Sequence, residues 1–329
     1  MKICVTGGAG FIGSALTRAL IDSGSDVTVL DDLSRGRAER LAGSGAAIVH
    51  GDVRDYGAVA EAMHGASRVV HMAYLQGTQT FYAEPKEVLD VAVCGMKNVL
   101  AACEAEAVGE LIFVSSSEAY QVATTVPTPE DVPLSVPDIL NPRYSYGAGK
   151  ILGEAMSLAW QRNGVLDRVA IVRPHNIIGP DMGFEHVIPE FCMRMNDLVR
   201  DHPTGVIPFP IQGTGQETRS FCYIDDCVRQ LQAVITGDGS AVSVWHIGTM
   251  NEVTIARLAQ QVASCYMRTI KIVPGSLPKG SPPRRQPDTT KIQALLARLG
   301  RSQVPEVPFA TAISRTVDWY RRLDREAAS

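Results

Sequence analysis

Short apolar runs and longer amphipathic stretches alternate through the first half of the chain. "KICVT" at 2–6 reads as a buried strand, and "FIGSALTRALIDSG" at 11–24 carries its apolar residues at helical spacing. "DVTVL" (26–30), "AAIVH" (46–50), "SRVVHMA" (67–73), "LIFVSS" (111–116) and "RVAIVRP" (168–174) are further strands. Helical sequence separates most of them, the longest such stretch covering 85–107. Strands that are apolar on both faces and alternate with helices imply an α/β fold, a doubly wound parallel sheet of the Rossmann type with helices on each side.

Beyond residue 175 the pattern loosens. Proline-rich stretches at 202–210 and 274–287 interrupt short helices, and "SVWHIG" at 243–248 looks like a strand returning to the sheet. The expected division is a dinucleotide-binding domain over 1–175 and a smaller, mixed substrate lobe over 176–329. The helix at 85–107 is apolar on more than one face, so a subunit interface shared with the helix after Tyr146, and hence a homodimer, is expected.

Composition narrows the classes. The 329 residues are 45% hydrophobic and 20% charged, with a formal net charge of −4, and the one basic cluster is "PPRR" at 282–285. That excludes a nucleic-acid footprint. No apolar run reaches the ~18 residues a bilayer span requires, and the strand-like start is too short for a signal peptide. Seven cysteines, several in apolar segments, suggest reduced thiols in a cytoplasmic protein. Cys222 and Cys227 match no common zinc spacing, so no metal is expected.

"VTGGAGFIGS" sets Gly7, Gly10 and Gly13, with Phe11 and Ile12 between them, at the junction of the first strand and first helix. Glycines there let the backbone approach a pyrophosphate lying at the positive end of the helix. Asp31, ending the second strand, stands where a carboxylate accepts hydrogen bonds from the adenosine ribose and repels a 2′-phosphate. NAD is therefore favoured over NADP, with Arg35 and Arg37 blunting the preference. Asp52, after the third strand, is open between holding the adenine amino group and capping a helix.

"YSYGAGK" at 144–150 places Tyr146 and Lys150 one helical turn apart, on one face. Beside a nicotinamide, the Lys150 ammonium stabilises a phenolate and also reaches the nicotinamide ribose of the cofactor; lowering a tyrosine pKa from ~10 to ~7 takes roughly 4 kcal/mol. Such a phenolate removes a proton from a sugar hydroxyl while hydride leaves the carbon for NAD. Ser116 in "FVSSSEAY" is the candidate hydroxyl for the reacting oxygen.

The glycine loop, "SSSEAY", "YGAGK" and "RPHNIIGP" together resemble the extended short-chain dehydrogenase/reductase family, specifically its nucleotide-sugar epimerases and dehydratases. The resemblance runs over nearly the whole chain. It implies a catalytic serine four residues before Tyr120, which is Ser116, and a nucleoside diphosphate sugar as substrate. It also implies that Asn176, Arg219 and Arg285 contact the diphosphate, for which guanidinium forks are suited.

Glu118 lies two residues past Ser116, and in an extended stretch the two side chains share a side. Related dehydratases and decarboxylases often carry Thr-Asp-Glu or Thr-Ser-Glu where this chain has Ser116-Ser117-Glu118, so the usual acid is absent. "TRSFCYIDDCV" is similar in part to GDP-mannose 3,5-epimerases, which have a cysteine at the Glu118 position; Glu185 or His186 would then supply a second base. Tyr74 and 77–82 are candidates for sugar contact by position. The favoured expectation is epimerisation at C4, which needs no further base. A 4,6-dehydratase using Glu118 comes second, and a catalytically silent NAD-binding protein is the alternative of a different class.

Overall fold

The computed structural model describes residues 1–237, 239–277 and 280–327; positions 278 and 279 of the second proline-rich stretch lie outside these. The first six strands are β1 (Lys2–Thr6), β2 (Asp26–Asp31), β3 (Ala47–His50), β4 (Arg68–His71), β5 (Glu110–Val114) and β6 (Arg168–Pro174). They line up as β3-β2-β1-β4-β5-β6, and Val242–Ile247 adds a seventh strand beside β6. Every pairing is parallel, Ile3 for example lying opposite both Val27 and Arg68. The returning strand is thus where the periodicity puts it.

Two cores follow from the two-residue strand period. Ile3, Val5, Val27 and Val29 face one side of the sheet, against Leu16 and Leu20 of α1 (Phe11–Asp22). Cys4, Leu30 and Val69 face the other, with α2 (Tyr56–Met63) and α4 (Pro85–Ala105). A short helix α3 (Thr78–Ala83) precedes α4, and α5 (Ser145–Arg162) packs along it. The third core joins α6 (Val187–Asp201), whose Ile188, Phe191 and Met195 are buried, to α8 (Ile255–Cys265) and α10 (Phe309–Ala327). Between these elements α7 (Ile224–Gly237) returns to pack on α1, and α9 (Thr290–Arg298) packs on α7, so the chain crosses between lobes more than once.

Strand order reverses between β1 and β4, which opens a crevice at the carboxyl ends of the strands. Thr6 ties the two strand ends together. Its Oγ1 lies 2.7 Å from His71 Nδ1 and accepts from the amides of Met72 (3.1 Å) and Ala73 (3.2 Å).

Behind the crevice, α5 and β6 are joined by a buried ion pair. Arg173 donates to Glu154 through Nε (2.9 Å) and Nη2 (2.6 Å), and Ser115 Oγ donates to the same carboxylate at 2.5 Å. Arg173 also donates to the Tyr120 hydroxyl, which lies 2.7 Å from His246 Nε2. Removing one partner of such a pair strands a buried charge. Glu154→Ala should therefore destabilise the fold by about 3–5 kcal/mol, read as a lower denaturant midpoint at unchanged slope.

Candidate active site

The crevice is a cleft of about 570 Å³ between the sheet and the second lobe. Gly7, Gly10, Phe11, Ile12, Gly13, Asp31, Asp52, Ser116, Glu118, Tyr146, Lys150, Asn176, His186, Arg219 and Arg285 all line it. Residues drawn from positions 7 to 285 of the chain thus meet in one place.

At one end the glycine loop passes beneath the start of α1. A Cβ on Gly13 would stand 2.2 Å from the Gly7 carbonyl oxygen, so only glycine permits this turn. No side chain caps α1 and its first turn holds no acidic residue, leaving the helix's positive end open to an anion. Asp31 closes the far side. Its oxygens accept from the amides of Ala9 (2.8 Å) and Leu33 (3.0 Å), while burial raises its pKa. These residues fit a dinucleotide: a glycine cradle, an uncapped helix end and a fixed carboxylate facing the cleft.

Two expectations for this end change. Asp52 is not the cap of α2; Asp55 is, accepting from the Gly57 amide at 2.8 Å. Asp52 instead pairs with Arg54 (2.5 Å), whose hydrogen bonds hold its carboxyl below the usual range. Arg37 does not face a 2′-phosphate position unengaged. It pairs with Asp181 of the second lobe, as does Arg40 at 2.8 Å, while Arg35 lies 3.6 Å from Glu185.

At the other end Tyr146 and Lys150 share one face of α5, both buried. Burial pushes the phenol pKa up, only partly offset by its contact with the Ser116 hydroxyl. Lys150 does not bond the phenol. Its Nζ donates to the Val114 carbonyl (2.6 Å) and lies 5.6 Å from the Tyr146 ring centroid, so its influence there is through space. Burial also pulls the ammonium pKa well down, against the opposing charge of Glu154. Phe81 stacks on Tyr146 at 4.9 Å and 16°.

The expectation that Ser116 and Glu118 share an extended side is corrected. Ser117–Ala119 is a 3₁₀ turn, capped by Ser116 Oγ accepting from the Glu118 amide at 3.1 Å. The turn still delivers Glu118 to the cleft, where its carboxylate accepts from Arg285 Nη1 at 2.6 Å. Burial opposes the charge, but Arg285, Arg143 and Arg219 outweigh it and hold the carboxyl below the usual range.

Arg285 and Arg219 stand directly opposite each other on paired strands, Arg284–Arg285 against Thr218–Ser220. Burial and the neighbouring Arg285 lower the Arg219 pKa to about 10. Arg285 Nη2 is buried with no hydrogen-bond partner among the described residues. Two close guanidiniums with spare donors form an anion site. Asn176, at φ 40°, donates to the Ser220 carbonyl at 3.0 Å and lines the cleft beside them. His186 is the N-cap residue just before α6; burial and then Arg35 lower its pKa to about 4, so it is neutral at pH 7.

Sequence reasoning missed Arg143 and Glu154. Both carried a signal: Arg143 stands three residues before Tyr146, and Glu154 extends the Tyr146–Lys150 stripe by one further turn. Among the described residues no cluster of three His, Cys, Asp or Glu side chains is placed to hold a metal ion, and no helix is long and apolar enough to cross a membrane.

Comparison with known proteins accords with this geometry. The model of the NAD dependent epimerase/dehydratase family matches residues 3–248. A dTDP-glucose 4,6-dehydratase of Streptomyces niveus is 32% identical, over 98% of this chain and 93% of its own length. DesIV, a dTDP-glucose 4,6-dehydratase from Streptomyces venezuelae solved with NAD bound, superposes with a TM-score of 0.83 at 29% identity, covering 98% of this chain and 97% of its own. A UDP-galactose 4-epimerase superposes about as well, with a TM-score of 0.81 at 28% identity over 98% of this chain and 99% of its own. The cofactor is NAD, the activity is that of a nucleotide-sugar-modifying enzyme, and the chain belongs to the NAD dependent epimerase/dehydratase family.

Proposed function

We propose that the enzyme oxidises a nucleoside diphosphate hexose at C4 and then uses Glu118 on the proton at C5, as a 4,6-dehydratase. The observation that carries this reading is an ionised carboxylate in the same cleft as Ser116, Tyr146 and Lys150. Plain C4 epimerisation, favoured by the sequence, leaves that carboxylate without a task. The relatives named as 4,6-dehydratases support the change.

The chain's own groups divide the work between binding, oxidation and proton removal. Arg219 and Arg285 take the diphosphate, with Asn176 beside them. Ser116 donates to the C4 oxygen and Tyr146 removes its proton as hydride leaves C4. Bound NAD supplies the hydride acceptor and a positive ring that favours the phenolate. The resulting C4 ketone acidifies the C5 proton, which Glu118 removes, and the C6 oxygen departs as water by taking a proton from solvent. Hydride and a proton then return to C6 and C5. When the diphosphate draws on Arg285, Glu118 loses part of its counter-charge and becomes a stronger base.

A second reading, C4 epimerase, is favoured by Ser117, which is buried and occupies the place of the acid that would protonate the departing hydroxyl. A homodimer through α4 and α5 is also proposed, because Leu89, Val93 and Leu152 of these helices are exposed. The cytoplasm is proposed from the seven cysteines, all free thiols.

The deciding experiment incubates dTDP- and UDP-hexoses with enzyme and NAD in deuterated water, followed by mass spectrometry. Dehydration predicts loss of water with one deuterium at C5. An isomer of unchanged mass would establish C4 epimerisation and leave Glu118 idle; deuterium gained without loss of water would indicate epimerisation at C3 or C5. Tyr146→Phe should cost roughly 10²–10⁴ in turnover while NAD binding, followed by calorimetry, stays near that of the parent protein.

Glu118→Gln separates the steps. Bound NAD should still be reduced, seen as nicotinamide absorbance, but no water should be lost. With the Glu118 carboxyl held below its usual range, the base is present throughout neutral pH. In kcat/KM for dehydration, which reports the free enzyme, the acid limb belonging to Glu118 should therefore lie below the usual carboxylate range, and a Glu118 limb at or above that range would contradict the assignment.

A further inference from the structure

We propose that Tyr74 is the positioning residue that keeps the Lys150 ammonium charged beside Tyr146. The inference rests on the Tyr146–Lys150 reading above and assigns Tyr74 a place other than the sugar contact its position suggested. The Lys150 Nζ lies 3.2 Å from the Tyr74 ring centroid, against 5.3 Å for Phe113. Lys150 is only 2% exposed, and its one hydrogen bond among the described residues, to the Val114 carbonyl, uses one of three N–H donors. An ammonium so desolvated loses its proton unless something replaces water, and the negative face of an aromatic ring does so.

The ring is placed by the fold. Tyr74 follows the Ala73 amide that Thr6 anchors at the strand-order reversal. It stands edge-on to Tyr146 at 6.2 Å and 85°, so it touches both members of the pair. On α5, Gly149 adjoins the ring: a Cβ there would lie at contact distance, 3.9 Å, from Tyr74 Cε1, and its close approach is to Ala92 of α4, at 2.7 Å. The Tyr74 hydroxyl is buried without a partner among the described residues, so no hydrogen bond explains the residue type.

The other groups around Lys150 leave the ring a role. Glu154, on its own helix, favours the ammonium through space, but its carboxylate is engaged by Arg173. His71, from β4, is held neutral by burial, its pKa lowered to about 3. Glu118 and Arg35 act on the Tyr146 phenol with opposite signs. From α3 and α4 come the apolar Phe81 and Val88. Without the ring face the ammonium is less populated, the phenolate loses a neighbouring charge, and the Tyr146 pKa rises.

The test titrates tyrosinate by ultraviolet difference absorbance in the NAD-loaded protein, subtracting the Tyr146→Phe counterpart in each background. Tyr74→Leu should move the Tyr146 transition up by about one pH unit, a roughly tenfold loss of phenolate at a given pH. Tyr74→Phe, which keeps the ring, should restore the parent transition. A Leu variant that titrates like the parent, or a Phe variant shifted as far as Leu, would overturn the proposal; Tyr74→Met replaces Leu if that variant does not fold. Reduction of bound NAD by a nucleoside diphosphate hexose is followed in parallel, where Tyr74→Leu should lower kcat on the acid side and leave KM unchanged. If no such sugar reduces NAD in the parent protein, the functional reading fails, while the titration still decides the role of Tyr74.

Discussion

The close approach of α5 to its surroundings is the constraint on which the site depends. A Cβ on Gly153 would fall 2.3 Å from the Phe113 ring, and one on Gly147 would fall 2.9 Å from the Glu118 carbonyl oxygen. The helix therefore lies against β5 and the turn after it, with no side chain as spacer. That contact carries Lys150 within 2.6 Å of the Val114 carbonyl and brings Tyr146 beside Ser116. One turn further on, the same face carries Glu154 into its pair with Arg173 on β6. A helix held even one methyl group further out would lose the phenol, the ammonium and the buried ion pair together.

Charge at the sugar end is arranged in excess and then shared. Glu118 answers three guanidiniums, of which Arg285 bonds it directly and Arg143 and Arg219 act through space. Three cations around one carboxylate repel one another, and burial first, then Arg285, lowers the pKa of Arg219. In the proposed reading an incoming diphosphate relieves that surplus, which would couple binding of the anion to activation of Glu118 through Arg285. The same surplus explains why Glu118 is a poor proton donor. It suits abstraction at C5 and does not suit protonation of a leaving group, and no carboxyl at position 117 takes on that second task.

Periodicity made most of the fold legible. The parallel sheet, the return of Val242–Ile247 and the glycine loop follow from apolar runs of strand length and from residue types whose steric demands are local. The cleft residues were legible for a related reason: each lies at a strand end or on the first turns of a helix, where α/β architecture gathers side chains. Contacts set by long-range packing were not legible. Nothing local tells that Asp55 rather than Asp52 caps α2, that Asp181 claims Arg37 and Arg40, or that Arg285 reaches Glu118 across 167 positions. The 3₁₀ turn at Ser117–Ala119 was hidden because a serine followed by a short polar stretch suits both an extended strand end and a capped turn.

These separations suggest how one scaffold serves several reactions. In the proposed reading oxidation at C4 rests on Tyr146 and Lys150 of α5 and on Ser116 just past β5, and all three are buried. In the same reading the fate of the C4 ketone falls to the 3₁₀ turn and the loops facing it, where Ser117, Glu118, Glu185 and His186 line the cleft. A change of residue on that turn would then alter the proton chemistry at C5 and C6 without disturbing the packing around Tyr146 and Lys150. A 4-epimerase and a 4,6-dehydratase superpose about equally well on this chain, so the backbone does not choose between the two readings. That choice rests on a few side chains that a fold comparison does not weigh.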